Sequence, residues 1–118
     1  MQKRQYEKLI VWQEAYSLCL WIYRVTKGFP PEERFGLVSQ MRRSSYSVHM
    51  NIAEGNSRRS KKDKLHFLEM SASSLEELHC QCLMARDLTY CTETDFREVD
   101  DHIQRVSYLL MKLRSSLK

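Results

Sequence analysis

Three glycines and two prolines are all that interrupt 118 residues, and this shortage of helix breakers constrains the fold more than any other feature of the chain. Long helices are expected. Apolar residues recur at alternating steps of three and four along most of the sequence, the spacing of a buried helical seam. With 42% hydrophobic and 29% charged residues, the chain can build one core and therefore one domain.

The first helix is expected from about Tyr6 to Lys27, with Leu9, Trp12, Tyr16, Cys19 and Tyr23 as its seam and Val11, Ala15, Leu18 and Ile22 as a second apolar row beside it. Trp12 and Trp21 are nine steps of about 100° apart and fall on opposite sides, so one core cannot bury both. Either an indole is exposed, or a second subunit covers this helix from outside. The row-like surplus favours the subunit, with Val11, Leu18, Trp21 and Ile22 as the expected interface. Gly28 is placed for a helix end with positive φ, Pro30 blocks continuation, and Pro31-Glu32-Glu33 suits a single turn. Phe29 and Phe35 are expected to plug the end of the bundle.

A second helix, about Leu37 to Glu54, carries Val38, Met41, Ser45, Val48, Ile52 and Gly55 on one side, the small residues permitting close approach of a neighbour, with Gly55 as a stop. The third, capped by Ser60 and about 28 residues long, has the seam Leu68, Ser71, Leu75, Leu78, Cys82 and Ala85. The fourth, capped by Thr92 or Thr94, has Phe96, Val99, Ile103, Val106, Leu110, Leu113 and Leu117 and a basic end in Lys112, Arg114 and Lys118. Four amphipathic helices on short turns predict an all-α, antiparallel up-down-up-down four-helix bundle over residues 1–118.

Several function classes fall away. No apolar run reaches the ~18 residues of a membrane span, and Met1 to Gln5 is polar, so a cytoplasmic location without membrane attachment is expected. Cys80 and Cys82 point about 200° apart on a helix, and no CxxC is present, so the four cysteines are expected to be plain thiols. A lone Glu76-x-x-His79, lying off the seam, is no carboxylate-bridged metal set. No metal and no cofactor is expected.

Two constellations remain. Arg43, Ser47, Asn51 and Glu54 share one face of the second helix. The set contains a carboxylate, an amide, a hydroxyl and a guanidinium, but no nucleophile and base able to activate each other, so a register-fixing polar network is preferred over catalysis. Immediately after it, Arg58, Arg59, Lys61, Lys62 and Lys64 crowd the start of the third helix. Cations are unfavourable at that end of a helix, and a phosphate would relieve them. A solvated basic turn is the plain alternative. Arg42 and Arg43, with Lys3 and Arg4, are further candidates for phosphate contact.

Val11-Trp12-Gln13-Glu14-Ala15, Phe35-Gly36-Leu37, Gln40-Met41-Arg42-Arg43-Ser44 and Asn51-Ile52-Ala53-Glu54-Gly55, with Ser74-Leu75-Glu76-Glu77-Leu78 further on, resemble the four-helix bundle proteins encoded in intervening sequences of bacterial 23S ribosomal RNA genes. That resemblance implies an antiparallel bundle assembled as a homo-oligomeric ring, a pentamer, without enzymatic activity. A distantly similar bundle, the accessory protein of diversity-generating retroelements, is a pentameric barrel that binds nucleic acid and a reverse transcriptase. Two readings are carried forward: a homo-oligomer binding RNA or DNA phosphates through the basic run, and a scaffold recruiting a protein partner.

Overall fold

The computed structural model describes residues 2–118; Met1, the first residue of the polar N-terminal stretch, lies outside them. Four helices make up the bundle: α1 (Ile10–Thr26), α2 (Leu37–Asn56), α3 (Lys61–Asp87) and α4 (Glu93–Ser116). Each packs on its neighbours in sequence, and α4 closes back on α1. Among the described residues no pairing joins α1 to α3 or α2 to α4, which is the ring of contacts of an antiparallel four-helix bundle.

The seam expected for α3 is its buried face residue for residue, that of α2 is buried throughout with Ser44 and His49 added to it, and the α4 seam is buried from Phe96 to Leu110, with Leu113 and Leu117 half-buried at its end. The closest pairing is α2 against α3. Gly55 allows it: a Cβ there would lie 3.1 Å from Phe67 Cβ and 3.3 Å from the Lys64 carbonyl oxygen. Ser71 Oγ donates to the Val48 carbonyl oxygen at 2.7 Å and Ser44 Oγ donates to Glu77 Oε1 at 2.9 Å, so the small hydroxyls that let the helices meet also bond across the contact.

Helix α1 differs from expectation. A short 3-10 turn, Gln5–Lys8, precedes it, and Leu9 is extended (φ −75°, ψ 127°). That extended residue sets the Leu9 side chain beside Leu113 and Leu117 at the end of α4. Buried on α1 are Val11, Ala15, Leu18, Cys19 and Ile22, whereas Tyr16 and Tyr23 are exposed. The expected interface residues Val11, Leu18 and Ile22 therefore belong to the chain's own core; of that set only Trp21, half-buried, keeps surface to offer. The physical reason is size: branched aliphatic and small side chains fill the narrow interior, and the phenols keep their hydroxyls in water. The two indoles lean opposite ways, Trp12 against His49 of α2 and Trp21 beside Asp95 of α4.

The turns bring three more corrections. Gly28 does not have positive φ; that conformation belongs to Thr89 (φ 60°) after α3. There Tyr90 N donates to the Ala85 carbonyl at 2.8 Å and Thr89 N to that of Arg86 at 3.0 Å, a Schellman ending with threonine in the glycine position. Gly55 does not stop α2, which runs on to Asn56. Phe29 plugs the bundle against Tyr90, but Phe35 is 87% exposed. The Pro31–Glu33 turn forms as expected and is put to use: Glu33 Oε1 accepts from Leu37 N at 3.2 Å and Oε2 from the Tyr90 hydroxyl at 2.8 Å, tying both turns of that end to the start of α2.

Candidate nucleic-acid interface

The α2–α3 turn is built by short-range bonds. Ser60 Oγ accepts from Asp63 N at 3.1 Å, capping α3. Lys64 Nζ donates to the Asn56 carbonyl oxygen at 3.1 Å, satisfying the end of α2, and Arg58 Nη2 donates to Glu54 Oε1 at 3.1 Å while its guanidinium lies 4.7 Å over the Phe67 ring. Arg58 and Lys64 are thus engaged in holding the turn. Arg59, Lys61 and Lys62 are exposed and form no ion pair within the described residues. Those three carry the charge that faces solvent.

Arg42 and Arg43 do not join them. Arg42 lies fourteen residue steps, about 21 Å of helix, before the end of α2 at Asn56, beyond which Arg58 stands. Arg42 Nε donates to Thr26 Oγ1 at 3.0 Å and Nη2 to the Tyr23 carbonyl oxygen at 3.3 Å, with the guanidinium 4.7 Å over the Tyr23 ring. It caps the C-terminal end of α1, where a cation is favoured. Arg43 lines a shallow groove between α2 and α3 with Ser47, Asn51 and His66. The polar row is not a connected network: Asn51 Nδ2 donates to the Ser47 carbonyl of its own helix at 2.8 Å, and Glu54 is taken by Arg58. Beside that row on α2, Ser44 and Ser45 do reach other helices, donating to Glu77 of α3 and to Cys19 of α1, and Ser71 of α3 donates back to the Val48 carbonyl oxygen.

Topology brings Lys3 and Arg4, already candidates for phosphate contact, to the turn and adds the cations at the end of α4, which linear reading did not group with it. The N-terminal stretch and the end of α4 come to the same end of the bundle: Arg4 borders a groove with Asn56 and Ser57, and Leu9, Asn56, Lys64, Leu113 and Leu117 enclose a small cavity of about 90 Å³. Residues 2–8, 54–64 and 112–118 hold eleven lysines and arginines against three carboxylates, so the remainder, with eight against twelve, is acidic. Pairing the antiparallel order with charge at helix ends would have found this. The signal was in the sequence, but only the topology joins it.

That end also carries an aromatic wall. Trp12 stacks on Tyr16 (centroids 4.9 Å, planes 10° apart), Tyr6 tilts against it at 5.3 Å, and His49 meets both indole and phenol edge-on. Burial lowers the His49 imidazole below its ordinary value. Elsewhere, burial pushes the Cys82 thiol up to about 12 and Cys19 upward, so both stay protonated apolar side chains. His79 Nε2 lies 3.1 Å from Asp100 Oδ1, and no group of three or more candidate metal ligands exists among the described residues. No helix of the described residues is long and apolar enough to cross a membrane.

Comparison with known proteins fits this architecture. No curated protein matches the chain. The crystal structure of a protein of unknown function from the S23 ribosomal protein family, from Bacteroides thetaiotaomicron, superimposes with a TM-score of 0.83 over 90% of this chain and 96% of its own, at 19% identity, and so shares the fold. The sequence profile of the 23S rRNA-intervening sequence proteins matches residues 7–112, from the turn before α1 almost to the end of α4. This chain belongs to the 23S rRNA-intervening sequence protein family.

Proposed function

We propose that the protein is a non-enzymatic homo-oligomer, a pentameric ring acting in the cytoplasm, that binds RNA or DNA phosphates at the basic end of each bundle. The observation that carries this reading is the convergence of three segments, distant in sequence, whose eleven cations meet three carboxylates at one end of a fold that is acidic elsewhere. Such a field attracts polyanions and gives salt-dependent, sequence-independent affinity. Lys61 and Lys62 stand in the first turn of α3, where the unbonded N–H groups add donors for a phosphate. The placement of the structural neighbour in a ribosomal protein family is in keeping with a nucleic-acid partner.

Self-association has its own support on α1. Tyr16, Leu20 and Tyr23 are each at least 37% exposed and follow one another at helical spacing, an apolar row on a helix whose other face is fully used by the core. A ring would repeat the basic end around one rim, and multivalency would raise weak phosphate contacts to useful affinity.

The test is fluorescence anisotropy of a labelled structured RNA at low and moderate salt, with the mass of the protein measured alongside. Affinity should fall steeply with salt and drop at least about tenfold in a triple R59E, K61E, K62E variant whose mass is unchanged. Acidic residues are favourable in the first turn of a helix, so that variant should stay folded. Absence of binding at either salt, from a confirmed oligomer, would overturn the reading and leave a scaffold for a protein partner. Leu20→Glu with Tyr23→Glu should reduce the assembly to monomers; an unchanged mass would exclude that face.

A further inference from the structure

Between the N-terminal turn, α1 and α2 lies a groove of about 680 Å³, within the ~300–1,000 Å³ range of small-ligand clefts. Its apolar side is Tyr6, Trp12, His49 and Met50, and its polar rim is Arg4, Glu54, Asn56 and Ser57. Three features distinguish it from an ordinary surface furrow. The wall is aromatic, with Trp12 stacked on Tyr16, tilted against Tyr6 and braced edge-on by His49. The Trp12 Nε1–H is buried without an acceptor, a demand that a packed core normally meets. The groove opens onto the basic turn, because Glu54, which lines it, also holds Arg58.

We infer that this groove seats one unstacked nucleobase, so that the nucleic acid the protein prefers is single-stranded. The inference rests on the phosphate-binding reading above and deepens it. Aromatic side chains offer a π-face that any base can stack on, while amide and hydroxyl groups such as those of Asn56 and Ser57 meet base edges. Arg4 lines the groove and the exposed Arg59 follows closely on its Glu54, Asn56 and Ser57 rim, so cations stand near it for the phosphates that flank that base. A base within a duplex is stacked on its neighbours and paired at its edge, and cannot enter without being flipped out. Stacking in the groove therefore discriminates strand state where phosphate contacts alone do not.

The experiment compares three labelled probes of equal length on the wild-type oligomer at low salt: a thymidine strand, the same strand in a blunt duplex, and a strand of abasic residues with the same phosphates. The thymidine strand should bind about tenfold more tightly than either of the others. In a Trp21→Phe background, where Trp12 is the single indole left of two, it should quench the emission and the abasic strand should not. Trp12→Leu should bring the thymidine strand down to the affinity of the abasic one while leaving the abasic affinity unchanged. Equal affinity for all three probes, with salt dependence retained, would overturn the base site and leave the phosphate reading standing. Failure of all three to bind would overturn both. The comparison on the wild-type chain decides the matter even where the Trp12 variant fails to fold.

Discussion

Glu54 Oε1, in the last turn of α2, accepts a hydrogen bond at 3.1 Å from Nη2 of Arg58 in the turn that follows, and is one of three carboxylates among eleven cations at that end. Both side chains are about half-exposed, so the pair itself adds little stability. Its effect on a bound polyanion is larger, since Glu54 repels phosphates and occupies a guanidinium that would meet them. Glu54→Gln should tighten RNA binding at low salt by about two- to fivefold and steepen the salt dependence by up to about one counterion. The midpoint of denaturant unfolding should move by no more than about 0.5 kcal/mol. Unchanged affinity would mean that phosphates do not approach the α2–α3 turn.

Two glycines, equivalent to a propensity scale, should respond in opposite ways to alanine. At Gly28 a Cβ would meet only the Val25 carbonyl oxygen at 3.7 Å, an ordinary contact, and φ is not positive. Gly28→Ala should be neutral or stabilise by about 0.5 kcal/mol through the unfolded chain. At Gly55 the new Cβ would sit 3.1 Å from Phe67 Cβ and 3.3 Å from a backbone oxygen of α3, neither of which can swing aside. Gly55→Ala should cost about 1–3 kcal/mol despite alanine's better helix propensity. Urea unfolding of the two variants beside wild type checks both signs.

Thr89 is the one non-glycine residue with positive φ among those described, and a β-branched side chain is strained there. Thr89→Gly keeps the two backbone bonds that end α3 and removes that strain, so it should stabilise the protein by about 1 kcal/mol, a rise in melting temperature of about 4 °C. A lower melting temperature would show that the Thr89 side chain contributes more than its backbone costs.

What the sequence made legible follows from how many faces each helix could have buried. On α2, α3 and α4 only one side is apolar, and Val38 to Gly55, Leu68 to Ala85 and Phe96 to Leu110 could be read directly. On α1 two apolar rows lie side by side, and nothing local says that Leu18 and Ile22 fit a narrow interior better than Tyr16 and Tyr23; packing against α2 and α4 decides it. The same limit applies to the site. Ser60 as a cap and the run from Arg58 to Lys64 are local and were visible. That Arg42 belongs to the end of α1, and that Arg4 and Lys118 share an end with Lys62, depends on contacts between distant parts of the chain. Tyr6, Trp12 and His49 were legible as residues but not as one wall, because Leu9 breaks the helix that would have carried Tyr6 to another face.

His49 gives the fold a pH dependence whose sign can be stated. The imidazole is 8% exposed, edge-on to Trp12 and Tyr16, and burial lowers its pKa from the ordinary 6.5. The neutral ring is thus the form that packs. Above pH 6.5 folded and unfolded chains both hold it neutral, and its contribution to stability is fully present. As pH falls below 6.5 the unfolded chain takes up a proton that the folded chain resists, and that contribution is lost progressively towards the lower folded value. In His49→Leu this part of the slope should vanish, so the difference in unfolding free energy between variant and wild type should shift in the variant's favour on going from pH 7.5 to pH 5.5. The check is urea unfolding of both proteins at the two pH values. A difference that stays constant, or moves the other way, would show that the ring is solvated or paired when protonated.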